Sequence, residues 1–220
     1  MLQKINKSLD ELKIGLVGFR SKFISIALDR YGLSYDIIQV EDISQKYDII
    51  LGSGVYNIIP DELLLKPIYG CFFIHESPLP EGRGHAPIQW ALQNKKVNFT
   101  LSLFKVAPGV DDGYIVYQHN KEILYYDNVE SLETKRQEGI TECFEIFLNE
   151  LKQGVIVLRE QTGKSTYHKK RNKLNSEIKS IDNLNDLWEK IRICDNEKYP
   201  AFFILNDKKI TLKYTIDDNR

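Results

Sequence analysis

The stretch IHESPLPEGRGHAPIQW (Ile74–Trp90) closes an apolar run on a histidine, then crosses three prolines and two glycines. The run it closes, YGCFFIH (69–75), is rich in aromatic and β-branched residues and predicts a buried strand ending at His75. APIQWALQ (86–93) then predicts a helix with Pro87 in its first turn, where proline is tolerated. The chain thus holds one histidine at the lip of a strand and follows it with a stiff, helix-hostile loop.

Outward from that loop, apolar runs alternate with helical spacing. KIGLVGF (13–19), SYDIIQV (34–40) and YDIILGS (47–53) predict three earlier strands, and SKFISIALDRYG (21–32) a helix stopped at Gly32. FTLSLFKV (99–106) and YIVYQHNKEIL (114–124) predict two later strands, and residues 127–152 a long amphipathic helix. Short apolar strands separated by helices imply an α/β, Rossmann-like, mainly parallel sheet covered on both faces, its later strands free to run antiparallel across short links. From about Gly154 the texture becomes polar and basic (QTGKSTYHKKRNKLNSE, 161–177). A helix (LNDLWEKIRI, 184–193) and a hairpin turning at Asn206–Asp207 follow. This divides the chain into residues 1–153 and a small C-terminal region, 154–220.

Composition excludes several classes. Of 220 residues, 42% are hydrophobic and 28% charged, and the net charge of -1 gives no phosphate backbone or anionic membrane a reason to bind. Every apolar run is too short and too interrupted for a membrane span, and the start, MLQKINKSLDELK, has no apolar core of a signal peptide. Cys71, Cys143 and Cys194 have no paired spacing and read as reduced, buried thiols, so the expected location is cytoplasmic and no metal site is expected. His119 and His168 read as surface residues, and KKRNK (169–173) as a solvated run. No dinucleotide fingerprint, phosphate loop or nucleophile elbow is present.

Open sheets of this kind bind ligands beyond the carboxyl ends of their strands. There the sequence places His75, Gly52-Ser53-Gly54 and, after the fifth strand, Asp111 and Asp112. Imidazole and carboxylate in one crevice suit a proton transfer. A lone histidine at a strand end is also commonly structural, and DDG commonly a turn, so spacing alone leaves both readings open.

The quoted loop resembles the signature of the folate-dependent formyltransferases in His75-x-Ser77-x-Leu79-Pro80, Arg83-Gly84 and Ala86-Pro87-Ile88. VAPGVDDGYIVYQ (106–118) is similar to that superfamily's aspartate segment, and GSGVYNIIPDELL (52–64) to its pterin loop. The three blocks stand in the family's order within residues 13–150. The resemblance implies formyl transfer from N10-formyltetrahydrofolate to an amine, with His75 and Asp111 catalytic. It puts pterin contacts at Tyr56, Asn57, Ile58, Ile59, Val106 and Ala107. The family pattern Asn-x-His is broken here, because Phe73 stands at the asparagine position and cannot donate a hydrogen bond to an oxyanion. The tail, TYHKKRN through LWEKIRI to YPAFF, resembles that of sugar N-formyltransferases. This implies an amino sugar, nucleotide-linked and destined for surface polysaccharide, with Arg83 or residues 169–171 facing the pyrophosphate. No nucleic acid or membrane partner is expected, and the exposed edges of the hairpin fit a homodimer through the C-terminal region. Two other readings are a formyltransferase for another small amine and a non-catalytic folate- or sugar-nucleotide-binding relative, the latter drawn from Phe73.

Overall fold

The structure, a computed structural model, describes residues 1–217. Six strands form its central sheet. β1 (Ile14–Val17), β2 (Tyr35–Ile37), β3 (Ile49–Ser53) and β4 (Gly70–His75) run parallel in the order β2-β1-β3-β4. β5 (Asn98–Val106) pairs antiparallel with β4, and β6 (Gly113–Glu122) pairs antiparallel with β5. The second strand is much shorter than its apolar run because Ile38 and Gln39 leave the ladder for a loop.

Period-two alternation divides the side chains between two cores. Leu16, Ile49, Leu51, Phe72, Ile74, Leu101 and Leu103 pack into one, while Val17, Ile50, Cys71, Phe73 and Phe104 pack into the other. The larger core lies under two helices, α1 (Ser21–Arg30) and α3 (Val129–Lys152). The intervening helix, α2 (Pro87–Gln93), follows the quoted loop as its proline predicts. Asn128 caps α3 by accepting the Ser131 N–H at 2.8 Å, and the helix stops at Gly154, whose φ of 73° suits a glycine. Its buried stripe Leu132, Ile140, Phe144, Phe147, Leu148, Leu151 keeps helical spacing against the sheet. All three cysteines are buried and free, and burial pushes the Cys71 and Cys143 thiols up to about 12.

Two elements escaped the sequence reading. Leu2–Lys4 pairs antiparallel with Val155–Val157, and Tyr167–His168 pairs parallel with Arg83–Gly84 inside the quoted loop. The C-terminal helix (Leu184–Ile191) and the hairpin (Ala201–Leu205 with Lys208–Leu212) form as expected, with Asn206 and Asp207 both at positive φ in the turn. No helix among the described residues is long and apolar enough to cross a membrane.

Phe147 tests the larger core. It is 1% exposed, and its ring centre lies 4.9 Å from that of Phe72. Phe147→Ala is expected to lower unfolding free energy by about 3–5 kcal/mol in urea titrations, with an unchanged far-ultraviolet spectrum at low urea.

Candidate active site

The sheet's parallel strands β1, β3 and β4 end level with one another, which puts Gly18, Gly54 and His75 along one edge. Asp111 arrives by a different route from the one its place after the fifth strand implies. β5 is antiparallel, with His75 opposite Ser102 and Phe72 opposite Lys105, so its carboxyl end points away from that edge. The turn from Ala107 to Asp112 therefore folds back, with Gly109 at φ 121° and Asp111 itself at φ 47°. It delivers Asp111 Oδ2 to 3.5 Å from His75 Nδ1.

The quoted loop fixes the other partners. His75 Nε2 lies 2.9 Å from the Gly82 carbonyl oxygen, and a carbonyl only accepts, so Nε2 carries a hydrogen. Nδ1 is then the ring nitrogen that faces Asp111. Asp111 Oδ2 also accepts the Gly84 N–H at 2.7 Å. That amide is aimed by the strand pairing of Arg83–Gly84 with Tyr167–His168 and by the Gly82 N–H donating to Thr166 Oγ1 at 2.8 Å. Gly84 has φ 97°, and a Cβ there would lie 2.7 Å from the His168 carbonyl oxygen, so only glycine fits.

His75 and Asp111 border a cavity of about 560 Å³, within the size range of small-ligand pockets. Tyr56, Asn57, Ile58, Ile59 and Val106, which the resemblance gives as pterin contacts, line it. Ala107 does not; its N–H donates to the Asp112 carbonyl at 3.0 Å and closes the turn. Arg83 does not line it either. Its guanidinium donates to Asp112 Oδ1 at 3.0 Å, Gln161 Oε1 at 2.7 Å and the Tyr167 hydroxyl at 3.3 Å, so its charge is spent inside the protein. Phe73 lines the wall at 8% exposure and rests on the bare face of Gly52, where a Cβ would come within 2.5 Å of the ring.

Two histidines and the basic run read differently in three dimensions. His168 is half-buried, with its ring centre 5.3 Å from that of Trp90. His119 is half-buried and lies 3.0 Å from Glu142. Within KKRNK, Lys170, Arg171 and Asn172 line the cavity, and Arg171 donates to Gln93 Oε1 at 2.5 Å. Among the described residues no His, Cys, Asp and Glu are grouped to hold a metal ion.

Sequence reasoning missed four charged residues in the cavity wall, Arg20, Glu76, Arg136 and Asp195. Arg136 left a signal, being a cation at i+4 from Leu132 in the buried stripe of α3. Glu76 left another, as a charge directly behind a fully buried strand. Arg136 Nη1 lies 3.7 Å from Glu76 Oε1, and both Arg136 and Arg20 pair with Glu133. Burial pushes the Glu76 carboxyl up, but Arg136, Arg20 and His75 together outweigh it and hold the group below its ordinary value of 4.5. Burial brings Arg136 down to about 10 against the opposing pull of Glu76.

Residues 38–144 match the family profile described as formyl transferase. The methionyl-tRNA formyltransferase of Thermodesulfovibrio yellowstonii is 30% identical over 80% of this chain and 56% of its own length, so the chain spans about half of that relative. A sugar N-formyltransferase from a Shewanella species superposes with a TM-score of 0.75 at 17% identity, covering 94% of this chain and 98% of the other. HypX from Aquifex aeolicus in complex with tetrahydrofolic acid gives 0.76 at 17% identity, covering 91% of this chain and 37% of that one. These two likenesses are of fold. The profile match, the sequence relative and the site define a formyl transferase domain. The chain carries a formyl transferase domain, consistent with the folate-dependent formyltransferase superfamily.

The Glu76 network has a pH signature. A carboxyl held below its unfolded value binds fewer protons when folded, so its stabilising contribution is full above 4.5 and is lost as pH falls through the folded value. Wild-type urea midpoints are expected to drop between roughly pH 6 and pH 3, and Glu76→Gln to show a smaller drop. Equal slopes in the two proteins would remove Glu76 from the network.

Proposed function

We propose that this chain transfers a formyl group from N10-formyltetrahydrofolate to the amine of an amino sugar, nucleotide-linked, for surface-polysaccharide biosynthesis. The observation that carries the reading is the 3.5 Å approach of His75 Nδ1 to Asp111 Oδ2 at the border of the cavity. What supports the folate end is the apolar lining by Ile59, Leu64, Phe73, Phe104 and Val106, with lining Tyr56 stacked on Phe19 at 5.0 Å. What supports a polar acceptor is the opposite wall. Asn172, Ser176 and Tyr199 bring hydrogen-bonding groups there, and Lys170 and Arg171 bring cations suited to a pyrophosphate. In this reading residues 1–153 hold the transfer chemistry, and residues 154–220 complete the acceptor wall.

The folate supplies an activated formyl carbon. The His75–Asp111 pair takes the proton that the amine loses as its nitrogen bonds that carbon, and returns it to the departing nitrogen. Gly84 N–H keeps the Asp111 carboxylate aimed throughout. His75→Ala and Asp111→Asn are each expected to lower kcat/KM by roughly 10²- to 10⁴-fold, with unchanged circular dichroism. The assay offers N10-formyltetrahydrofolate with dTDP-4-amino-4,6-dideoxyglucose or with methionyl-tRNA, and detects the formamide by mass spectrometry. The tRNA arm answers the second reading, which the 30% identity to a methionyl-tRNA formyltransferase favours. Formylation of the tRNA and not of the sugar would replace the sugar reading.

Phe73 makes a dry wall where the family carries a donor, and the oxyanion then takes its hydrogen bond from His75 Nδ1–H or a loop amide. Phe73→Asn would give up apolar packing on Gly52 and bury an amide, at about 1–3 kcal/mol if left unpaired. Its kcat/KM is expected to stay flat or fall. A gain approaching the 10²- to 10³-fold worth of one oxyanion donor would mean that the natural protein is impaired or only binds.

A further inference from the structure

Glu76 lines the cavity with a carboxylate that Arg136 approaches only to ion-pair distance. It is 8% exposed, directly follows His75 and lines the cavity. Its nearest cationic nitrogen, Arg136 Nη1, stands at 3.7 Å, outside hydrogen-bond distance, and no side chain among the described residues donates a hydrogen bond to it. Both neighbouring arginines already have a carboxylate partner in Glu133. The Nε of Arg136 is buried without a partner, so this cluster does not close on itself. Asp111 is in the opposite state, with its Oδ2 taken by the Gly84 N–H and facing His75. A buried carboxylate short of donors is costly unless something arrives to donate.

We propose that Glu76 anchors the ammonium group of the acceptor, so that the site selects for a protonated amine and delivers its nitrogen beside His75. The inference rests on the formyl-transfer reading and names the contact that defines its acceptor. An aliphatic amine reaches a neutral site as an ammonium with three N–H donors. Glu76 takes one as a hydrogen bond and stays ionised, with Arg20 and Arg136 behind it. A second N–H proton passes through the His75–Asp111 pair to solvent, which frees the lone pair that bonds the formyl carbon. The third leaves the nitrogen as that bond forms and passes through the same pair to the folate nitrogen as its own bond to the formyl carbon breaks, so one proton is released overall and Glu76 gives up none of its charge.

The test measures acceptor KM with dTDP-4-amino-4,6-dideoxyglucose and with methionyl-tRNA. It also compares binding of the amino sugar nucleotide with that of its 4-hydroxy counterpart, dTDP-6-deoxyglucose. Glu76→Gln is expected to raise KM for the formylated acceptor by about ten- to a hundredfold, the size of a lost charge-assisted hydrogen bond. It should also abolish any preference for amine over hydroxyl, while tetrahydrofolate affinity stays the same. Glu133→Gln removes a partner from the same two arginines without altering the cavity's carboxylates, and should keep the preference. An unchanged KM in Glu76→Gln, a preference that survives in it, or an equal rise in Glu133→Gln overturns the anchor while formyl transfer stands. Absence of product from the wild-type protein with both acceptors removes the formyl-transfer reading and the anchor together.

Discussion

The hydrogen bond from the Gly84 N–H to Asp111 Oδ2, 2.7 Å long, is the constraint on which the rest of the site depends. The antiparallel fifth strand carries Asp111 away from the strand ends where His75 sits, and a folded-back turn has to return it. A turn held at φ 121° and φ 47° has no ladder of its own to fix it. The amide supplies the fixed point, and a charge-assisted bond of this kind contributes about 1.5–3 kcal/mol. Arg83 and Gln161 secure the same turn from the far side, through Asp112 Oδ1 and the Asp111 carbonyl.

That fixed point has its own dependence. Gly84 is aimed because Tyr167–His168 runs beside Arg83–Gly84, and Thr166 holds Gly82. The polar, basic stretch after residue 160 is therefore part of the loop's geometry. Trp90 extends the seam, stacking on His168 and donating from Nε1 to the Lys169 carbonyl at 3.1 Å. The stiff loop that follows His75 is thus one side of a two-stranded contact whose other side lies some 80 residues later in the sequence.

How much of this was legible follows from the range of each interaction. Alternation within the short apolar runs is local, so the assignment of Ile49 and Leu51 to one core and Ile50 to the other is present in the sequence itself. The end of β4 at His75 is local too. The direction of β5 is not, because the link between His75 and Asn98, helix included, is long enough for either sense and only packing chooses. Arg83 was read as free to meet a substrate because Asp112, Gln161 and Tyr167 come from three separate segments. His168 was read as solvated because a two-residue strand leaves no periodicity to see. Arg136 was visible in principle, but a single cation in a helix stripe is indistinguishable from a snorkelling surface residue until its neighbours are known.

The two walls of the cavity divide the work by dielectric. On the folate side, Phe73 occupies the bare face of Gly52 and joins Ile59, Phe104 and Val106 in a surface with nothing to offer a charge. The same cavity is lined by Arg20, Glu76 and Arg136, and buried ion pairs of this kind seldom stabilise a fold beyond what apolar residues of the same volume would provide. Stability alone therefore gives no reason for placing an arginine at i+4 from Leu132 and a glutamate directly behind His75. Apolar packing on one wall strengthens each charge interaction on the other by keeping water from the space between. Phe73 and Glu76 thus face one cavity with opposite chemistry, and the proposed anchor depends on that contrast: an apolar surface at Phe73 and a carboxylate at Glu76.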